Sequence, residues 1–547
     1  MLAHTDVFSF KGGYYSLASI LLSLVFCILL RIKSIEKISD ESPGELGKLI
    51  GLDRIPEIKT LREKIAVLSL DGQGGQWMCE LSKQWMDMSP ELAGVLYIDG
   101  HEDIYYGKKT NLPRHYISRL RLAMRATCDY WVCDKLGQPF FAISKSVSGS
   151  MIGVIKEEIV PRLEKDVPDQ PSEKSLLADP LLHKFMLVYD RECYSPDFMI
   201  DMWEKRIACC TYNKYVSEIW PKDEFTEHEV INEYGEKDTI WLAERGILLE
   251  GKETEKLAEP MTVIQHRETE NGAQYDITHK RTKKKQQIWA REVRKLRENG
   301  CQTSIVTTNY KLSMTKIGTY MFARWCQENF FKYMVHNFGL DMIISYFFTD
   351  IDDTQRMVNP DYRQLEKRIH SLNAKLKHRE SKFGALHYDK ELKDREFSKF
   401  SKKKAQLQED ITVYREQLNE LKSTRSATAK TVSYAELPEN EKFKGVHNQR
   451  KQVVDTIKLI AARSEISLAS IIKKYMAKPK EARALMEQFY KTNADIKVDR
   501  VKKTVRICLH HQPTAHEDDI LSELCKYLNE TEIIFPETDL KLQYCLI

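Results

Sequence analysis

The sequence predicts an α/β fold built on a mixed sheet, with helical regions before and after it. Three observations carry that expectation. Two apolar runs rich in β-branched and aromatic residues, Val95–Ile98 and Phe185–Tyr189, each stop at an aspartate, as buried central strands do. Residues about 240–285 look like an inserted β region, in which Met261–Arg267 and Ala273–Arg281 alternate around the turn Glu270-Asn271-Gly272, a strong hairpin signal. The leucine-rich stretches of 361–424 have helical spacing instead.

Residues 1–90 read as a mainly helical region. Gly12 to Leu30 carries no charge, and Lys11 and Arg31 flank it. A membrane span needs roughly 20 apolar residues, so the run is borderline in length. Ser16, Ser19, Ser23 and Cys27 form one small, mildly polar stripe, which fits a helix packed in the interior better than an anchor. Gly72-Gln73-Gly74-Gly75 lacks the Lys-Ser/Thr ending of a phosphate loop and reads as a turn.

The strand region spans 91–350. A meander is expected through Val95–Ile98, His101–Tyr106, about Ala123–Asp134 and Pro139–Ser144. A helix from Met151 to about Leu163 follows, then a strand at Lys184–Asp190, a helix at Pro196–Ile207 and a strand at Ile207–Tyr212. Beyond the inserted β region lie a charged stretch, Arg281–Glu298, a strand at Ser304–Thr307 and a long helix at Thr315–Asn337. Strand hairpin, strand, helix, strand, helix is an α/β arrangement.

Asn359-Pro360 marks a boundary. Leu365, Ile369, Leu372 and Leu376, then Leu407, Ile411, Tyr414, Leu418 and Leu421, predict a coiled-coil or helical-hairpin arm over 361–424. The tail, 432–547, reads as an α-rich C-terminal domain: helices at Lys451–Ala462, Leu468–Tyr475 and Ala482–Thr492, and one alternating strand, Thr504–Leu509.

Composition narrows the function. At 547 residues the chain exceeds one core, so several domains are expected. Net charge is only +4, which excludes a global polycation, and any nucleic-acid contact must come from local clustering. Twelve cysteines without a CxxC support neither a zinc ribbon nor a disulfide framework; buried reduced thiols are expected.

The chemistry-bearing residues are acidic. Asp99 and Asp190 end predicted central strands, where ligands collect in open α/β sheets. Asp103 and Asp197 are their local rivals. Glu328 sits on the predicted long helix with Arg324 one turn upstream and Tyr320 two turns upstream. Three such carboxylates suit hard divalent cations held against a phosphate. Arg324 fits either a phosphate contact or an intrahelical pair with Glu328. Lys280-Arg281-Thr282-Lys283-Lys284-Lys285 is a candidate phosphate-binding cluster. Trp289 and Trp241 fit the core better than base stacking, and His510-His511 lacks partner ligands for a metal.

These motifs resemble those of DDE transposases from bacterial insertion sequences. The resemblance rests on Tyr97-Ile98-Asp99-Gly100-His101 with Tyr106-Gly107, on Tyr189-Asp190-Arg191 with Tyr194-Ser195, and on Arg324-Trp325-Cys326-Gln327-Glu328-Asn329-Phe330-Phe331-Lys332-Tyr333. Ile305-Val306-Thr307-Thr308-Asn309 also fits, as do Pro43–Lys48 and Gly51–Pro56 near the start. It implies an RNase H-like catalytic domain with a β insertion, and Asp99, Asp190 and Glu328 as ligands of two Mg²⁺ or Mn²⁺ ions. The implied reaction is DNA cleavage and strand transfer. The implied partners are double-stranded DNA (terminal inverted repeats and target) and a second copy of the chain in the DNA complex, in the bacterial cytoplasm at the nucleoid and with no stable membrane partner. Arg324 joins the implied catalytic set, and Lys332 and Tyr320 become candidate DNA contacts. The chain departs from the Tyr-x2-Arg-x3-Glu-x6-Lys pattern of one group: three residues separate Tyr320 from Arg324, and Val335 stands at the lysine position. Relatives commonly carry a longer DNA-binding region upstream, so a shortened reading frame is expected. Two other readings remain open: a membrane-anchored coiled-coil scaffold, and an inactive or nuclease-only copy of the same fold.

Overall fold

In the computed structural model, the described residues are 2–11, 13–107, 111–117, 120–145, 150–216, 218–231, 237–253, 261–269, 272–280, 285–340, 348–386, 394–446 and 448–547. They form two units. One comprises 1–106, 114–347 and 446–547, and the other 107–113 and 348–445.

The first unit begins with helices α1 (Leu17–Leu29), α2 (Pro43–Lys48), α3 (Ile58–Leu68), α4 (Gln73–Met88) and α5 (Pro90–Ala93). α1 is thirteen residues long and caps itself, with the Ser16 hydroxyl accepting from the Ser19 N–H. Ile20, Leu21, Leu24, Val25 and Cys27 are all buried in the main core. No described helix is long and apolar enough to cross a membrane.

The glycines of 72–75 serve a helix and not the expected free turn. Gly72, at φ +76°, caps α4. Gly74 and Gly75 face α14 (Asn448–Ile472), where a Cβ on Gly74 would stand 2.5 Å from Val453 Cγ2. Their missing side chains let the two helices approach closely.

The central sheet has ten strands: β1 (Val95–Ile104), β2 (Arg114–Ile117), β3 (Leu122–Cys133), β4 (Pro139–Lys145), β5 (Met186–Tyr189), β6 (Ala208–Tyr212), β7 (Thr226–Ile231), β8 (Lys237–Glu253), β11 (Lys285–Leu296) and β12 (Gln302–Thr307). β9 (Met261–Thr269) and β10 (Gly272–Lys280) pair separately as an antiparallel hairpin. The sheet order is β2-β3-β1-β5-β6-β12-β11-β8-β7, with β4 on β3. β1, β5 and β6 are parallel neighbours, and the flanking pairs are antiparallel, so the sheet is mixed as expected. Parallel strands need cover on both faces. α6 (Met151–Val154), a π-turn and α7 (Val160–Asp166), then α8 (Glu173–Ala178) and α9 (Pro196–Glu204), make the crossovers.

Three expectations are revised. The meander strand at His101–Tyr106 is the continuation of β1. The inserted β region starts at Thr226 and runs to Leu296, so the charged stretch after 281 is largely β11, whose Ile288, Ala290 and Val293 are buried in the core. The long helix is two, α10 (Met314–Ala323) and α11 (Trp325–Phe338), joined at Arg324.

The tail folds with this unit. α14 is one continuous helix where two were expected, because the polar-looking stretch at its middle is inward: the Arg463 guanidinium stacks over Trp85 and Phe140, and Glu465 takes Arg31. α15 (Ala482–Tyr490) and α16 (Ala515–Glu530) pack beside a sheet of three strands, not the single one expected: β17 (Ala494–Asp499), β18 (Thr504–Leu509) and β19 (Lys541–Leu546).

In the second unit, β13 (Phe348–Thr349), β14 (Arg356–Val358), α12 (Pro360–Gly384), α13 (Asp394–Ala427), β15 (Thr431–Ser433) and β16 (Gly445–Val446) follow in order, and β14 pairs with β15. α12 and α13 run antiparallel, since Glu366 meets Arg425 while Arg379 meets Asp410. The predicted stripe faces inward: Ile369, Leu407, Ile411 and Leu418 are buried.

Candidate active site

Register alone sets the first two carboxylates side by side. β1 pairs with β5 through Val95–Met186 to Ile98–Tyr189, so the next position on each strand is Asp99 and Asp190. Asp190 follows the carboxyl end of β5, and Asp99 is the β1 residue just past the end of the pairing with β5, while β1 itself runs on beside β3 to Ile104. The third comes from α11. Phe330, Phe331, Met334 and Phe338 of that helix are buried, and Trp131 of β3 meets Phe330 and Phe331 with ring centroids 5.8 and 6.3 Å apart. This contact fixes the helix and holds Glu328 near the strand ends.

Arg324 lies in the middle. Its Nη2 is 3.0 Å from Glu328 Oε1 and 3.9 Å from Asp190 Oδ1, and its Nη1 is 3.7 Å from Asp99 Oδ2. The Tyr212 ring, at the end of β6, sits 5.9 Å from the guanidinium carbon. Three carboxylates from three distant segments therefore surround one buried cation. Burial pushes the Asp99 carboxyl up to about 7; Arg324 and the Gly100 N–H pull it down, and Asp190 and Glu328 raise it. Burial lowers the Arg324 pKa, but the three acids outweigh it and hold the guanidinium charged.

The donor set is all carboxylate oxygen, the chemistry that hard divalent cations take. The present arrangement is the guanidinium-bridged one. Among the described residues no three His, Cys, Asp or Glu side chains are close enough together to hold a metal ion as they stand.

A family model described as "Transposase protein" matches residues 2–259 and 263–547. The chain belongs to this transposase family. No curated protein matches it. The match runs from the N-terminal helices to β19, so the sheet, the helix pair and the tail are all part of what defines the transposase. DNA is the partner that the family indicates.

The other sequence candidates in this transposase fall into different places. Tyr320 is partly buried against the core, and its carbonyl accepts a 2.7 Å hydrogen bond from Tyr97 Oη, pinning α10 to β1. Lys332 is exposed on α11, one turn beyond Glu328. Arg281, Lys283 and Lys284 lie outside the described residues; Lys280 ends β10 and Lys285 begins β11, and their side chains also lie outside them. Trp289 packs against the core, whereas Trp241 is 43% exposed on β8, contrary to the core expectation for it. His511 pairs with Asp518 at 2.8 Å, in an ordinary surface contact.

Asp103, the rival of Asp99, belongs to a buried ion cluster. Lys451 Nζ lies 2.9 Å from Asp103, 2.6 Å from Asp129 and 2.9 Å from Asp455. Burial disfavours charge on Lys451, yet the three carboxylates raise its pKa well above the usual range. Lys458 Nζ donates to the Gly339 carbonyl at 2.8 Å, at the end of α11. A second network acts on the same helix: Arg31 donates to Glu465 at 2.7 Å and to Tyr333 Oη at 2.9 Å, and Tyr333 donates to Glu465. α14 thus ties β1, β3 and α11 together behind the acids. Sequence reasoning missed this role. The available signal was the inward spacing of Lys451, Asp455, Lys458 and Glu465, all on one helix face among apolar residues.

Proposed function

We propose that this transposase cleaves DNA and transfers strands with Asp99, Asp190 and Glu328 as the acidic ligands of two Mg²⁺ or Mn²⁺ ions. The observation that carries the reading is the convergence of these three carboxylates on one guanidinium. The sheet order, with two acids where neighbouring parallel strands stop pairing and the third on a helix after an inserted β region, supports an RNase H-like domain. Bound at these oxygens, divalent cations supply Lewis-acid stabilisation and lower the pKa of an attacking water or 3′-hydroxyl. The chain's own residues do the rest. Asp99, once deprotonated, and Asp190 present oxygens from the rigid pair of central strands β1 and β5. Glu328 closes the set from α11. Arg324, released from the acids, reaches a phosphate oxygen and neutralises charge developing there. Lys332 and the basic segment 280–285 contact the DNA backbone, and Tyr320 sets the placement of α10 through Tyr97. The substrates in this reading are the element's terminal inverted repeats and target DNA, joined by a homodimer at the bacterial nucleoid.

The test is strand cleavage of duplexes carrying the flanking inverted repeats, with and without Mg²⁺. Asp99→Ala, Asp190→Ala and Glu328→Ala are each expected to lose at least about 10³-fold in rate. Full activity in any one removes that residue from the site, and metal-independent cleavage removes the mechanism.

A further inference from the structure

The charge of this chain is unevenly placed. Residues 375–404 contain eleven Lys or Arg and five Asp or Glu, a local net charge of +6 against +4 for all 547 residues. Residues 360–374 and 405–427, the other half of the same helix pair, carry six of each and are neutral. The two halves also use their charges differently. The neutral half and its border hold the helices together: Arg425 meets Glu366 at 2.7 Å, Arg415 meets Glu380 at 2.8 Å, and Arg379 meets Asp410 at 2.9 Å. Towards the distal end, Lys375, Lys377, Lys382, Lys399, Lys402, Lys403 and Lys404 are exposed. Among the described residues none of these seven has an acidic side chain within 4.0 Å; Lys404 rests over the Phe383 ring.

Seven like charges on two paired helices repel one another, which costs stability. Nothing in the packing requires them, because the apolar stripe that joins the helices is at Ile369, Leu407, Ile411 and Leu418. We propose that the distal half of the α12–α13 pair is a grip for the phosphate backbone of duplex DNA, independent of base sequence. Ten residues of helix span about 15 Å. Duplex DNA presents about nine phosphate charges over that length, at one per ~1.7 Å, which is the same order as the lysines on offer. Lysine, a compact point charge with three donors, suits phosphates without reading bases. An anionic membrane is a poorer fit, since surface-lying helices need an apolar face to insert, and here that face is turned inward. DNA is taken as partner from the family; the grip does not depend on the metal chemistry.

The experiment uses the full chain and a random-sequence duplex lacking inverted repeats, without divalent metal, so that it reads grip and not catalysis. Binding is followed by fluorescence anisotropy between about 50 and 200 mM salt. The variant Lys399→Gln/Lys402→Gln/Lys403→Gln/Lys404→Gln is expected to bind at least about tenfold more weakly, with a log K against log salt slope shallower by about 3.6, near 0.9 for each of four lost contacts. Lys367→Gln/Lys422→Gln, on the neutral half, is expected to keep the parent slope. Matching far-UV circular dichroism shows that both variants fold. An unchanged slope in the fourfold variant overturns the proposal. So does loss of sedimentation with phosphatidylserine vesicles while DNA binding is kept, which would make lipid the partner.

Discussion

Arg324 Nη2 stands 3.0 Å from Glu328 Oε1, one helical turn away across the α10–α11 junction, and the same guanidinium reaches Asp99 and Asp190. An i,i+4 pair on an exposed helix contributes only about 0.3–0.5 kcal/mol. This one differs, because Arg324 is buried and is the shared counter-ion of three acids. It therefore competes with any divalent cation for the same oxygens. Arg324→Gln is expected to bind Mn²⁺ about tenfold more tightly, roughly 1.4 kcal/mol, in calorimetric titration. In the absence of metal it is expected to melt at a lower temperature, with its acids left to repel one another. Cleavage is expected to fall despite the tighter metal, since the phosphate contact is gone. Unchanged Mn²⁺ affinity would separate Arg324 from the metal site.

Asp99 predicts a pH dependence. Its folded pKa of about 7 lies above its ordinary value, so between the two the folded state holds a proton that the unfolded state has lost. Stability then falls as pH rises through this window, the reverse of a salt-bridged carboxylate. With metal absent, the parent protein is expected to lose melting temperature relative to Asp99→Asn between about pH 4 and 7. Taking the difference between the two removes other raised carboxyls such as Asp129 and Asp134. Mn²⁺ affinity is expected to rise over the same window, with release of about one proton on binding. A difference that is flat with pH would mean that Asp99 is ionised throughout.

The side-by-side placement of Asp99 and Asp190 was legible in the sequence because each follows an apolar run whose type is set locally. An apolar β-branched run favours a buried strand, and the parallel pairing of β1 with β5 then sets Asp99 and Asp190 side by side where that pairing stops. The inward stripe of α12 and α13 was legible for the same reason, since Ile369 and Leu407 to Leu418 repeat at helical spacing. What could not be read is how distant segments complement one another. Arg324 looks like a surface helix residue until three carboxylates from elsewhere surround it. Glu465 fell in the polar stretch that divided the two expected helices, yet it and Lys451 are tertiary ion partners. The segment after 281 read as a basic cluster followed by a charged stretch, yet in β11 Arg291 and Arg294 are buried and paired with Glu244 and Glu292.

Lys451 tests how far that buried cluster supports the site. Removing one cation leaves Asp103, Asp129 and Asp455 buried without it, and breaking a buried pair costs about 3–5 kcal/mol. Lys451→Met is expected to lower the unfolding free energy by that order in urea melts. Adding Asp129→Asn is expected to recover part of the loss, since one buried charge then disappears. A strictly additive double mutant would show that the two side chains do not interact.

Gly74 gives the last prediction, on the seam between α4 and α14. A Cβ there would meet Val453 Cγ2 at 2.5 Å, and Val453 is fully buried, so it has no free space into which to turn. In a helix Gly→Ala normally stabilises by about 0.5–1 kcal/mol. Here the overlap must push the helices apart, and overpacking a core costs about 1–3 kcal/mol. The steric term is the larger, so Gly74→Ala is expected to destabilise. Val453→Ala alone leaves a cavity and is also expected to destabilise. Together the two substitutions restore the contact, with the new methyl filling the space that the valine vacates. The double mutant is expected to be more stable than either single one in thermal unfolding, a coupling of about 1–2 kcal/mol. Because α14 also carries Lys451 and Glu465, Gly74→Ala is further expected to reduce cleavage by loosening the helix behind Glu328, and Val453→Ala is expected to restore it in step with stability. Recovery of stability without recovery of cleavage would show that the seam supports the fold and not the position of Glu328.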